Sequence, residues 1–181
     1  RYKSKESILL IIDKKKKGKE LSDEEIRYMI NGNVDGSIPD YQMSAFLMAV
    51  YYMGMSDNEL LEMTIAMEKS GDIVDLSAIS GIKVDKHSTG GVGDKTTLVV
   101  GPVVAACGGK VAKMSGRGLG FTGGTIDKLE SIPGYRIDIS EREFYDNVNN
   151  IGVSIIGQSA EIATADKKLY ALRDVTATVD S

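Results

Sequence analysis

Apolar residues recur at helical spacing through about the first seventy positions. Ile8, Leu9, Ile11 and Ile12 predict a helix over Ser4 to Lys17, with Gly18 as its stop. Ser22 and Glu25 have the spacing of a capping box ahead of Ile26, Met29 and Ile30. Pro39 stands where a first helical residue would, before Met43, Phe46, Leu47, Val50 and Tyr51. Ser56 and Glu59 repeat the capping box before Leu60, Met63, Ile65 and Met67, and Gly71 ends that helix. Four short helices with short connections predict a small helical domain over residues 1–72.

The pattern changes near Leu76. Short apolar runs suited to strands, Ile82–Asp85, Val111–Met114 and Val153–Ile156, alternate with helical stretches at Thr96–Ala106, Gly124–Ser131, Ser140–Asn149 and Thr164–Leu172. That alternation predicts an α/β domain with a parallel or mixed sheet over residues 73–160. Such sheets bind ligands beyond the carboxyl ends of their strands. The fold class expected is therefore α/β, a small all-helical domain beside part of an α/β domain. The chain stops at Val175–Ser181 with no cap, turn or charged tail, and three strands make a thin core, so it reads as part of a larger protein.

Composition narrows the classes. Of 181 residues 42% are hydrophobic, enough for a packed core. Lys plus Arg number 22 against 26 Asp plus Glu, a formal charge of −4, which argues against a non-specific nucleic-acid binder. The longest apolar stretch, Thr96–Cys107, is interrupted by Gly101 and Pro102 and is too short for a bilayer. The basic start lacks a small-residue cleavage site and is not read as a signal peptide. The single cysteine, Cys107, excludes an intrachain disulfide and reads as a buried small hydrophobe, and the expected location is the cytoplasm. The single histidine, His87, excludes a His-rich metal site. Lys14–Lys17 reads as the solvated end of a helix. The methionines read as core filler.

Glycine is the informative residue. Eleven of the 20 lie between Gly90 and Gly124. The first cluster, Asp85-Lys-His-Ser-Thr-Gly-Gly-Val-Gly-Asp94, follows a strand and precedes a helix. Glycines let backbone N–H groups approach an anion, and Lys86, Ser88 and Thr89 add a cation and hydroxyls. The spacing is neither that of a P-loop nor that of a Rossmann turn. The second cluster, Ser115-Gly-Arg-Gly-Leu-Gly-Phe-Thr-Gly-Gly-Thr125, repeats the strand-to-helix context with Ser115, Thr125 and Arg117. Two such loops suit one shared phosphate; the alternative is that the glycines serve tight turns alone. His87 lies in the first cradle, suited to ligand contact or general-acid work. On residue type alone Arg173 reads as a helix-surface charge paired with Asp166 or Asp174. Lys113 and Lys128 add positive potential near the loops and nothing more specific.

Lys86–Asp94 and Ser115–Glu130 resemble the corresponding stretches of the pyrimidine-nucleoside phosphorylases, thymidine phosphorylases included. The second stretch is that family's signature region. Asp166–Val179 resembles its base-binding helix, and Asp35–Gln42 fits as well. The resemblance runs from Ile8 to Ser181 and matches the N-terminal portion of chains more than twice this length. It implies reversible phosphorolysis of uridine or thymidine to free pyrimidine and (deoxy)ribose 1-phosphate, with inversion. It also implies a cleft between the helical and α/β domains, a return of residues 161–181 to the helical domain, and a homodimer formed through that domain. Lys86, Ser88, Ser115 and Thr125 match phosphate ligands, and Thr97 stands where some members use a serine for the same purpose. His87, Tyr170 and Arg173 match residues that contact the pyrimidine, with Leu119 as an apolar wall. His87, Arg173 and Lys86 are thus the expected catalytic residues, and the bland reading of Arg173 is revised.

The resemblance implies no redox cofactor and no catalytic metal. The expected partners are a pyrimidine nucleoside and phosphate, with no nucleic acid and no membrane. The resemblance leaves room for a monovalent cation such as potassium; Lys95 stands where related enzymes often have a cation-binding threonine, and its ammonium could replace that ion. Phe121 takes the place of a histidine that helps hold the closed cleft, and closure is expected to differ. A serine and a lysine of the base site fall beyond the end of this chain. Two other readings stay open: an anthranilate phosphoribosyltransferase-like transferase, and a non-catalytic phosphate- or nucleoside-binding module.

Overall fold

The computed structural model describes residues 5–87, 94–117, 123–158 and 161–178. Among these, the elements in chain order are α1 (Lys5–Lys16), α2 (Asp23–Asp35), α3 (Asp40–Met53), α4 (Asp57–Glu68), β1 (Lys83–Val84), α5 (Thr96–Ala106), β2 (Lys110–Ser115), α6 (Thr125–Glu130), α7 (Glu141–Ile151), β3 (Val153–Gly157) and α8 (Thr164–Thr176). They divide into a helical unit, Arg1–Ile73 with Ala160–Asp180, and a second unit, Val74–Ser159.

Local chemistry starts the helices of the first unit. Ser22 Oγ accepts from the Glu25 N–H, and the Glu25 carboxylate accepts from the Ser22 N–H at 2.8 Å. Ser56 and Glu59 do the same for α4. Pro39 occupies the N-cap, one residue before the expected position, in extended backbone, so its missing N–H costs the helix nothing. The core gathers Ile11, Met29, Ile30, Met43 and Phe46 from the first three helices, and α8 returns to it through Ala165 and Leu169. One expectation fails here. Lys15 is not solvated: it is 3% exposed, and its Nζ lies 2.8 and 2.7 Å from the two Glu59 carboxylate oxygens. The capping-box carboxylate of α4 thus meets the end of α1, and it also accepts from the Leu21 N–H. Lys14 pairs with Glu25 at 2.6 Å. Periodicity within one helix cannot anticipate a charge that is buried by another.

In the second unit β1, β2 and β3 form a parallel sheet in that order. Lys83 and Val84 pair with Lys110 and Val111, and Val111–Ser115 pairs with Val153–Gly157. Helix α5 crosses from β1 to β2, and α6 and α7 lie between β2 and β3. Successive strand residues point to opposite faces. Accordingly, Ile155 packs with Ile126, Leu129 and Leu98 of α6 and α5, while Ile156 packs with Phe144 and Val148 of α7. Helix α7 ends at Gly152, whose φ of +94° favours glycine and whose Cβ position would lie 2.9 Å from the Ala105 Cβ of α5. Cys107, expected to be buried, is exposed. It closes the last turn of α5 ahead of Gly108, at φ +90°, where the chain swings out to reverse into β2. No helix among the described residues is long and apolar enough to cross a membrane.

Candidate functional site

The parallel sheet points β1 and β2 at one rim of the second unit, and the segments that follow them carry the polar cluster. At its centre is Asp94, 7% exposed, just ahead of α5. Its Oδ1 accepts from Lys86 Nζ at 2.6 Å, from Thr96 Oγ1 at 3.0 Å and from the Thr97 N–H at 3.1 Å. Its Oδ2 accepts from the Thr97 hydroxyl and from Thr125 Oγ1 at 2.9 Å. Three segments therefore meet on one carboxylate: the loop after β1, the start of α5 and the start of α6. Burial pushes the Asp94 carboxyl up, but the Lys86 ammonium, the Thr97 hydroxyl and N–H and the Thr125 hydroxyl outweigh it and hold the group far below the usual carboxylate range. It is ionised at neutral pH and can only accept hydrogen bonds. It also satisfies the Thr97 N–H in the first turn of α5, where negative charge suits the helix dipole.

The structure thus brings Lys86, Thr97 and Thr125 together. Ser115 ends β2, its carbonyl accepting from the Gln158 N–H at 3.0 Å. At the neighbouring Gly116 no atom of the described residues, its chain neighbours aside, lies within 4 Å of the place a Cβ would take. His87 is exposed next to Lys86. Ser88 and Leu119, and Phe121 with them, lie outside the described residues. Lys95 is exposed at the start of α5.

Sequence reasoning missed two groups. Asp94 was given no role of its own, yet an acidic residue just ahead of a helix expected to start at Thr96 suits that helix's N-terminus. Lys113, given no specific role, is 6% exposed on β2 and donates to Asp85 Oδ1 at 3.0 Å and to the Lys86 carbonyl at 2.7 Å. It fixes the backbone that carries Lys86. Nothing in the strand pattern marks a lysine as buried. Arg117, expected to lend charge to the second loop, gives it instead to α6. It binds Asp127 at 2.9 Å and both oxygens of Glu130. Lys128 donates to the carbonyls of Gly123 and Gly124, tying down the loop before α6.

Tyr170 and Arg173 belong to the helical unit, on α8. Tyr170 is 42% exposed, and burial together with the Asp166 and Asp174 carboxylates pushes its hydroxyl pKa up. The Arg173 Nε donates to the Thr178 carbonyl at 3.1 Å, which holds the guanidinium against the end of its own helix. Among the described residues no group of three or more His, Cys, Asp or Glu side chains is placed to hold a metal ion.

Comparison with known proteins adds to this geometry. Residues 80–181 match the a/b domain of the glycosyl transferase family, and residues 10–71 match that family's helical bundle domain. Over 171 residues, 94% of the chain, the sequence is 61% identical to the pyrimidine-nucleoside phosphorylase of Geobacillus stearothermophilus. It is 62% identical to that of Bacillus subtilis (strain 168) over the same length. In both cases it spans 40% of the relative. The anthranilate phosphoribosyltransferase of Thermus thermophilus superposes with a TM-score of 0.69 at 18% identity, over 94% of this chain and 51% of that one. At that identity the likeness speaks for the fold alone.

Proposed function

The chain belongs to the glycosyl transferase family whose two domains it matches, and from that premise we propose that it is the N-terminal portion of a pyrimidine-nucleoside phosphorylase. The reaction is reversible phosphorolysis of uridine or thymidine to the free base and the (deoxy)ribose 1-phosphate. The observation that carries the reading is the convergence of Lys86, Thr97 and Thr125 on a single buried anionic point, in a chain about three-fifths identical to proteins of that name. A lysine and two hydroxyls gathered at the carboxyl end of a parallel sheet are the equipment for holding an oxyanion.

In this reading phosphate attacks the anomeric carbon of the nucleoside as the glycosidic bond breaks, and the configuration inverts. The transition state has oxocarbenium character. Lys86, Thr97, Thr125, Ser115 and Ser88 hold the phosphate in line. The leaving pyrimidine gathers negative charge on its ring oxygens and nitrogen. Arg173 and His87 stabilise that charge, with Tyr170 and Leu119 shaping the base site. The protein acts in the cytoplasm as a homodimer formed through its helical unit. The large apolar side chains Leu9, Leu10, Tyr41 and Tyr52, exposed on α1 and α3, support that association.

The test is ultraviolet detection of uracil and thymine released from uridine and thymidine by the full chain, with and without phosphate and without magnesium. Phosphate-dependent release is expected. Release that needs neither phosphate nor this lysine–hydroxyl cluster would overturn the reading. A requirement for a diphosphate–magnesium substrate would favour the phosphoribosyltransferase-like alternative.

A further inference from the structure

We propose that Asp94 is a positioning residue for phosphate, acting through Lys86, Thr97 and Thr125; the proposal rests on the phosphorolysis reading above. Because the Asp94 carboxylate is an acceptor only, the hydroxyl protons of Thr97 and Thr125 are directed at it. Each hydroxyl has one proton, so neither can donate to Asp94 and to phosphate at once. Lys86 differs: its ammonium has three donors, one of which reaches Asp94 Oδ1 at 2.6 Å, so it can serve both anions. Asp94 therefore acts as a resident anion. It collects a flexible lysine and two hydroxyls from three separate segments before any ligand arrives. Phosphate then takes over hydroxyl protons that are already in place, while Lys86 bridges the two anions. Preorganisation of this kind tightens binding because the donors need not be ordered by the ligand. Asp94 itself is shielded by five donor groups among the described residues and does not present a bare charge to the incoming anion.

The Asp94→Asn side chain keeps the shape but removes the charge and brings two N–H donors to a point where donors already converge. In the full chain, steady-state kinetics should show the KM for phosphate rising about tenfold or more, while the KM for uridine stays within about twofold. Calorimetry with inorganic phosphate should give the same loss of affinity. In a double-mutant cycle, Lys86→Ala with Asp94→Asn should weaken phosphate binding by less than the two single losses combined, because part of the Asp94 effect passes through Lys86 and the rest through Thr97 and Thr125. Should Asp94→Asn fail to fold, Thr96→Val serves. Thr96 is exposed and donates to Asp94 Oδ1, and its loss should raise the phosphate KM about threefold with the uridine KM unchanged. Unchanged or tighter phosphate binding in Asp94→Asn, fully additive losses in the cycle, or equal losses for phosphate and uridine would each overturn the proposal. A null result for Thr96→Val would do the same where that variant is the one that folds. The wild-type arm separates the two levels. If the wild-type chain neither binds phosphate nor depends on it, the phosphorolysis reading fails and takes this proposal with it. If the wild-type chain does both and the variants match it, the Asp94 role alone fails.

Discussion

Arg173 shows how much one side chain's surroundings matter. Its guanidinium has five N–H donors in a fixed fork, and Nε is committed to the Thr178 carbonyl. That bond holds one edge of the fork, and under the phosphorolysis reading proposed above its remaining N–H donors serve the oxygen of the leaving pyrimidine. An interaction that strengthens as charge develops lowers kcat when removed and leaves ground-state phosphate binding alone. Arg173→Ala in the full chain should therefore lower kcat about 100-fold, with the phosphate KM within about threefold, as read from steady-state kinetics. Lys should not replace it, since an ammonium on a flexible stem lacks the planar fork. Lys113 makes the complementary point. It touches the Lys86 backbone and the Asp85 carboxylate, so whatever it contributes acts through the placement of Lys86.

At the scale of elements, the join between α4 and the segment returning to α8 brings two stretches of main chain into direct contact. The Asp72 N–H donates to the Glu161 carbonyl at 2.7 Å, and Asp72 bridges Ile162. Ser70 Oγ accepts from the Ala165 N–H, at the start of α8. Gly71 makes this closure possible. A Cβ there would stand 2.1 Å from the Glu161 carbonyl oxygen and 3.0 Å from the Ala163 backbone nitrogen. Both are main-chain atoms and cannot swing aside. Gly71→Ala should therefore destabilise the helical unit by about 1–3 kcal/mol, measured as a shift in urea midpoint by circular dichroism. Gly71 also follows the end of α4, as its place in the sequence suggests, but the reason for glycine is the chain approaching from residues 161–163.

Over the whole molecule, each unit holds a buried carboxylate kept ionised by its partners, and both make stability fall in acid. Burial pushes the Glu59 carboxyl up, but the Lys15 ammonium and the Leu21 and Ser56 N–H groups hold it below the usual 4.5. A depressed folded-state pKa contributes stability that is complete above the unfolded-state value. That stability is lost as the pH falls through the folded-state value. Asp94 does the same below the usual 3.8 in the second unit. Urea midpoints should therefore be flat at neutral pH and fall progressively below about 4.5. Glu59→Ala should lose about 3–5 kcal/mol at neutral pH by leaving Lys15 buried without its anion, and its midpoint should fall less steeply in acid. A midpoint for the wild-type chain that stays level through that acid range would contradict the assignment.

Helices and strands were legible because each is specified locally. Ser22 with Glu25 and Ser56 with Glu59 close their own capping boxes, and the run Val153–Ile156 pairs as a strand with its neighbours. The glycine clusters, with Lys86 and Thr125 beside them, suit an anion by residue type and spacing alone, and that part of the reading is a proposal. Three features required the folded chain. Lys15 is buried because Glu59, 44 residues away, meets it. Cys107 is exposed at the end of α5, beside Val99 and Val103 of the same helix, which are exposed as well. Asp94 is a hub because Lys86, Thr97 and Thr125 arrive from three different segments. Hydrophobic period and capping are properties of neighbours along the chain, so the elements and the residues on offer for chemistry are already written in the order of the amino acids. Which charges are buried, and which anion gathers the donors, depends on contacts between distant segments, and those contacts exist only once the chain has folded.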